Sequence, residues 1–189
     1  MEKKDIKIKK AKLVGMNCLE ATYFDSEGNE ITIKGKNKCH KDLKDAFSRL
    51  VPFFADLTEQ KEAGDIKWYD LESEYNAELL SKIEVTGFSL GTDISNPFVT
   101  LTGNRTLLTS RVLNLNSPGI ELGSETLEWP HVDELDIALQ DLIYEVKEYI
   151  VNKKWEAVQL ELDFDSDPED PFANASPTQE ITPIDESAA

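Results

Sequence analysis

Twice along this chain the apolar residues change their spacing from every second position to every third or fourth, and that switch restricts the fold more than any other feature. A side chain that returns to one face every two residues belongs to a strand, and one that returns every 3.6 or so belongs to a helix. Ile6 and Ile8 alternate with Lys7 and Lys9 ahead of Leu13, Val14 and Gly15, which predicts a first strand over residues 5–14. Residues 19–24 and 31–34 flank Asp25, Ser26, Glu27, Gly28 and Asn29, a turn composition, and so predict a β-hairpin. From Lys41 the spacing lengthens, and Leu43, Ala46, Phe47, Leu50, Phe54 and Leu57 form the stripe of an amphipathic helix. Pro52 should kink or restart it.

The same order then recurs. Residues 63–81 are polar and acidic, with Trp68, Tyr69 and Tyr75 scattered among them, and predict an irregular connection. Ile83, Val85 and Phe88 open a strand, residues 98–102 another and residues 107–115 a third, with Gly103 and Asn104 read as a hairpin turn and a short strand near residues 120–127. Val132, Leu135, Leu139, Leu142, Ile143, Val146 and Ile150 predict a helix of about five to six turns. Asp133, Glu134 and Asp136 sit in its first turn and Lys153 and Lys154 at its end, as the helix dipole favours. His40 and His131 stand at matching helix starts. The expectation is an α+β fold in which two tandem β-β-β-α-like halves, over residues 5–62 and 82–153, share one core, with an antiparallel sheet and two helices. Chance similarity between short patterns is the alternative origin of that match. A single domain over residues 1–164 would precede a disordered acidic tail over residues 165–189, which is rich in Asp, Glu, Pro, Ser and Ala.

The charge is divided as unevenly as the periodicity is regular. The net charge is −17, with residues 1–49 at +4, residues 50–155 at −11 and residues 156–189 at −10. A basic front and a wholly acidic back suggest intramolecular attraction or two different partners; a solvated surface with a solubilising tail is the blander reading. No apolar run approaches the roughly 20 residues of a membrane span, and Met1, Glu2, Lys3, Lys4 and Asp5 lead into lysines, so the expectation is a cytoplasmic protein without a membrane partner. Cys18 and Cys39 read as free thiols there.

Material for catalysis is thin. His40 and His131 are the sole histidines, and capping or solvent exposure suits each better than proton transfer. Cys18, Cys39 and His40 lack the paired spacing and fourth ligand of a zinc site, and no phosphate-loop, dinucleotide or hydrolase signature occurs. The thirty-seven acids make any carboxylate spacing easy to find and therefore uninformative. The reading is of a protein that is not an enzyme and uses no cofactor or metal.

The lysines are better organised. The amino-terminal lysines Lys3, Lys4, Lys7, Lys9, Lys10 and Lys12 are joined by a second group, Lys34, Lys36, Lys38, Lys41 and Lys44. If the first strand neighbours the hairpin, their ammonium groups converge and can follow a phosphate backbone, with Tyr23, Phe24, Trp68 or Tyr69 to stack on bases. The candidate nucleic-acid-binding set is Lys7, Lys9, Lys12, Lys34, Lys36, Lys38 and Tyr23. Lysines that merely guard a sheet edge are the competing explanation.

Beyond the second helix, Gln159, Leu160, Glu161, Leu162, Asp163 and Phe164 spell a string that resembles the Q-L-x-L-x-F peptides by which bacterial and phage polymerases and repair proteins dock on the replicative sliding clamp. The resemblance implies that Gln159 hydrogen-bonds at one subsite while Leu162 and Phe164 fill an apolar pocket. Val158, Leu160 and Leu162 also alternate as a last strand would, and both readings stand. Residues 163–172, which include Pro171 and Phe172, resemble the acidic Pro-Phe tails of bacterial and phage single-stranded DNA-binding proteins, which recruit partner enzymes and compete with DNA for the basic surface. Together these resemblances imply a phage or prophage accessory of DNA replication or recombination that binds single-stranded DNA and recruits the clamp or another replication protein. The alternatives are an acidic inhibitor or adaptor that opposes a host nuclease, and a virion structural or assembly subunit whose β-rich halves pack edge to edge as a homo-oligomer.

Overall fold

The computed structural model describes residues 6–15, 17–61, 63–91, 97–122 and 129–155, all within the first of two units, Met1–Ala157. Three strands, β1 (Lys7–Val14), β2 (Cys18–Phe24) and β3 (Glu30–Lys38), lead into α1 (Lys41–Arg49) and α2 (Val51–Leu57). A 3-10 turn (Ala63–Asp65) and α3 (Glu74–Leu79) connect these to β4 (Ile83–Leu90), β5 (Phe98–Thr106), β6 (Val112–Asn116), β7 (Ile120–Glu121) and α4 (Val132–Val151). The strands form one seven-stranded antiparallel sheet in the order β3-β2-β1-β4-β5-β6, with β7 also paired to β5. The fold is therefore α+β.

Alternation explains which face of the sheet is covered. Ile8 and Ala11 of β1, Leu19 and Ala21 of β2, Ile83, Val85 and Phe88 of β4, and Val99 and Leu101 of β5 are buried. They share one core with Leu43 and Phe47 of α1, Phe53 and Phe54 of α2, and Leu135, Leu139, Leu142 and Val146 of α4. Each such side chain removed from water stabilises by roughly 1.5–3 kcal/mol, which is why the described helices pack on this face. Between α1 and α2 stands Leu50 alone, and Pro52 occupies the first turn of α2, where a missing N–H costs nothing. The Pro-induced restart predicted for this helix is observed.

Local turn chemistry closes the hairpins. Asp25 Oδ1 accepts from the N–H groups of Glu27 and Asn29, each at 2.9 Å, and Gly28 supplies a φ of 84°. Hydrogen bonding from Asn29 holds the Asp25 carboxyl below its ordinary range. His40 caps α1 by accepting from the Asp42 N–H at 3.3 Å.

Several expectations need correction. Gly103 and Asn104 are not a turn: they lie inside β5, opposite Val85 and Glu84. The reversal instead uses residues 107–111, where Leu107 N–H meets the Arg111 carbonyl at 2.8 Å and Ser110 takes a φ of 60°. Gly103 is small because the Phe54 ring and the Glu84 carbonyl approach its Cα, so that a side chain there would collide with both. The connection over residues 63–81 contains the helix α3, and Asn76 organises its approach: Oδ1 accepts from Lys67 N–H, and Nδ2 donates to the carbonyls of Lys67 and Asp70, at 2.9–3.0 Å. Lys153 and Lys154 lie past the C-cap Asn152, and Lys154 reaches back to Glu145 and across to Asp42. The third strand of the second half is shorter than expected and begins at Val112, and of the strand near residues 120–127 only Ile120–Glu121 is seen, residues 123–128 lying outside the described residues. Among the described residues no helix is long and apolar enough to cross a membrane.

Candidate nucleic-acid interface

The uncovered face of the sheet carries the charge. In β1, strict alternation would send Lys7 and Lys9 to one side and Lys10 and Lys12 to the other. A β-bulge between Ile8 and Lys10 shifts the phase, so two consecutive lysines face outward before the buried Ala11 resumes the pattern. Lys7, Lys9, Lys10 and Lys12 consequently share the open face. In β3 the even positions Lys34, Lys36 and Lys38 are exposed, and a Cβ on the intervening Gly35 would meet the Tyr149 hydroxyl on the helix side. Sheet registration then sets the two lysine groups on one face, on either side of β2.

Two rows cross this face. One runs Lys34, Glu20, Lys12, Gly87, Thr102, Asn116, and the next runs Thr32, Thr22, Lys10, Ser89, Thr100. The half built from β1, β2 and β3 is rich in lysine, and the half built from β4, β5 and β6 presents hydroxyls and amides together with the exposed carboxylate of Glu84, opposite Asn104. Gly87 lacks a side chain between Lys12 and Thr102, which leaves a shallow groove of about 160 Å³ bordered by Lys10, Lys12, Thr22 and Ser89. Two carboxylates temper the positive field: Glu30 pairs with Lys9 at 2.9 Å, and Glu20 lies between Lys12 and Lys34. Lys9 also stands 5.6 Å from the centre of the Phe24 ring.

The sequence-derived candidates are thus mostly brought together. Lys7, Lys9, Lys12, Lys34, Lys36 and Lys38 lie on one face, and Lys10 joins them. Tyr23 does not: it is registered with Ile8 and Ile31 and packs against the core, on the opposite side. The aromatic ring beside the lysines is that of Phe24. Gly87 was missed, although a glycine inside a strand pattern is itself a sign of a bulge or a bare surface. Trp68 lies elsewhere, stacked on His131 with centroids 3.5 Å apart and packed with Trp129 and Phe53. Tyr69 is 86 % exposed. Gln159, Leu162, Phe164, Pro171 and Phe172, the candidate partner-binding residues, lie outside the described residues, as do Lys3 and Lys4.

The ammonium groups and the hydroxyls of Ser89, Thr100 and Thr102 can hydrogen-bond phosphate oxygens and sugar or base edges, whereas the Thr22 hydroxyl is fully buried and shared with Thr32 at 2.9 Å. Among the described residues no group of three or more His, Cys, Asp or Glu side chains is gathered to hold a metal ion. Both cysteines are free thiols, and the two histidines are engaged separately, one as a cap and one in a ring stack. Compared with protein-family models, with curated proteins and with solved structures, the chain gives no match to any of the three.

Proposed function

We propose that this protein is a cytoplasmic, non-enzymatic accessory of phage or bacterial DNA replication or recombination that binds single-stranded DNA across the open face of its sheet. The observation that carries the reading is the gathering of seven lysines from β1 and β3 on the face opposite the described helices, inside a chain whose net charge is −17. In an acidic protein a cationic surface is where a polyanion meets least repulsion. Phe24 offers a ring for a base, and the hydroxyl and amide rows beyond β4 extend the track without selecting a sequence. The acidic residues 165–189 compete with DNA for the same lysines, and residues 159–164 dock on a sliding clamp.

The same reading takes the two halves as a tandem repeat. Ile6, Ile8, Ala11 and Leu13 recur as Ile83, Val85, Phe88 and Leu90 at one constant offset, and each first strand bulges at the equivalent point, Lys9 and Thr86. The two first strands pair antiparallel about Ala11 and Phe88, as a two-fold relation between the halves requires.

Fluorescence anisotropy with a labelled oligonucleotide tests the binding. Affinity should fall with salt at a log–log slope of about −0.7 per phosphate neutralised, and Lys12→Glu with Lys34→Glu should weaken it by roughly tenfold or more at low salt. Deleting residues 165–189 should strengthen it. Absence of binding by that shortened protein at low salt sinks the proposal. The acidic-adaptor reading has one observation of its own: Asp45, Glu72, Glu134 and Asp141, the last paired with Arg49 at 3.2 Å, rim a groove of about 520 Å³ floored by Pro52, Phe53 and Ala138. Recovery of a basic nuclease on the full chain, lost in Glu134→Lys with Asp141→Lys, would favour it.

A further inference from the structure

Residues 50–155 hold eight Lys and Arg against nineteen Asp and Glu, yet three of those cations gather in one place. Lys61, Lys82 and Arg105 line one cavity of about 490 Å³ with Tyr75, Ser81 and a single carboxylate, Glu78. It lies at the end of the sheet where β4 begins and β5 finishes, beside α3. A fourth cation, Lys67, stands 4.1 Å from the centre of the Tyr75 ring. Among the described residues, no carboxylate lies within ion-pair distance of Lys61, Lys82 or Arg105.

Like charges converging on one concavity repel, and a bound anion relieves that repulsion. The arginine is held ready for one. Its Nη1 donates to Gln60 Oε1 at 2.9 Å, while Gln60 is fixed by its own Nε2 donating to the Thr58 carbonyl at 2.9 Å and by its backbone N–H to Ala55 at 2.8 Å. A guanidinium fixed through one edge keeps its remaining donors in the planar fork that matches two phosphate oxygens. The cavity is of the size that encloses a small ligand, and Tyr75, 44 % exposed, adds a ring at its wall.

We propose that this cavity binds a phosphomonoester of nucleotide size, with Arg105 gripping two phosphate oxygens, Lys61 and Lys82 supplying point charges and Ser81 a hydroxyl donor. The proposal stands apart from the sheet-face reading, because none of the open-face lysines lines this cavity. The phosphomonoester has two sources, a free nucleoside monophosphate or the 5′-terminal phosphate of a nucleic-acid strand.

Equilibrium dialysis of the full chain at low salt, with labelled dTMP, inorganic phosphate and thymidine as probes, tests it. dTMP should bind one to one, inorganic phosphate should compete, and thymidine should not bind. Lys61→Glu with Lys82→Glu, two surface changes away from the core, should weaken dTMP by about tenfold or more, and Arg105→Lys should weaken it despite keeping the charge. Lys12→Glu with Lys34→Glu should leave dTMP binding unchanged, which separates this site from the sheet face. A preference for a 5′-phosphorylated over a 5′-hydroxyl oligonucleotide, abolished by Lys82→Glu, assigns the strand end; dTMP binding without that preference assigns the free nucleotide. Binding of dTMP weaker than about 10 mM, equal binding of thymidine, or dTMP affinity untouched in the Lys61→Glu, Lys82→Glu protein would overturn it.

Discussion

At Gly35 a single hydrogen atom in place of a methyl group lets α4 settle on the sheet. A Cβ there would strike the Tyr149 hydroxyl and come within 3.0 Å of the Leu19 carbonyl, and that hydroxyl donates at 2.8 Å to the Asn37 carbonyl. Gly35→Ala is expected to cost about 3 kcal/mol, from overpacking plus the displaced hydrogen bond, measured as a lower midpoint in urea with an unchanged slope. Burial, followed by the nearby Cys39 thiol, raises the Tyr149 phenol above its ordinary value of 10.0, so folding keeps the neutral form. The associated stability is present below pH 10.0 and is lost as pH rises through the raised folded value. Asn76, 1 % exposed, is a second pivot, since its side chain ties down three backbone groups of the connection ahead of β4. Asn76→Leu should lose roughly 3 kcal/mol by urea denaturation, because those groups lose their partners in a buried place. Neither residue was legible in the sequence, where Gly35 reads as a strand end and Asn76 as one more polar residue of a loop. The lysines were, except that periodicity alone would have scattered them: it takes the bulge after Ile8 to unite Lys7 and Lys9 with Lys10 and Lys12, and bulges leave little trace in composition.

Elements were easier to read than their ends, because a strand or helix averages its signal over many residues while a boundary rests on one or two. The stripe from Val132 to Ile150 gives α4 to within one residue of its end at Val151, and Ile6, Ile8, Ile83 and Val85 give the central strands. Gly103 misled because a glycine marks either a reversal or a close approach, and only the position of the Phe54 ring decides between them. α3 was hidden because its six residues expose most of their side chains and show no apolar stripe. The tie between the two long helices was equally invisible: Lys154, beyond the end of α4, bonds Asp42 in the first turn of α1 and Glu145 in α4, at 2.6 and 2.8 Å. Lys154 lowers the Asp42 carboxyl below 3.8, and Asp42 and Glu145 raise the Lys154 ammonium above 10.5. A depressed carboxylate contributes stability that is present above pH 3.8 and lost as pH falls through its lower folded value, whereas a raised lysine contributes below pH 10.5 and loses it as pH rises beyond. Lys154→Met should therefore lower Tm modestly and by a constant amount between those limits, with the difference from the parent protein shrinking in acid. The groups are partly exposed, so salt should shrink it too. A difference that persists undiminished in acid would show that the tie works by packing alone.

Across the whole molecule the two halves of the charge distribution answer salt in opposite directions. Residues 50–155, at −11, run from α2 to the end of α4, and folding brings their many acids close together. That self-repulsion weakens as added ions shorten the screening length, from about 30 Å at 0.01 M to roughly 8 Å at 0.15 M. Stability should rise accordingly. An increment near 1 kcal/mol would move Tm upward by about 2–4 °C for a protein of this size. Binding on the sheet face depends on the opposite balance, because seven lysines release counterions from a phosphate backbone only when the solution holds few of them. Raising sodium chloride from 20 to 500 mM should therefore increase Tm in scanning calorimetry while reducing oligonucleotide affinity by orders of magnitude. Removing residues 165–189 should diminish the first effect, since the acids in that segment leave with it, and enhance low-salt affinity. If Tm and affinity instead fell together as salt rose, the lysines of β1 and β3 would be stabilising the fold through ion pairs such as Lys9 with Glu30 rather than standing ready for a polyanion, and the cationic face would be a structural feature of the sheet edge.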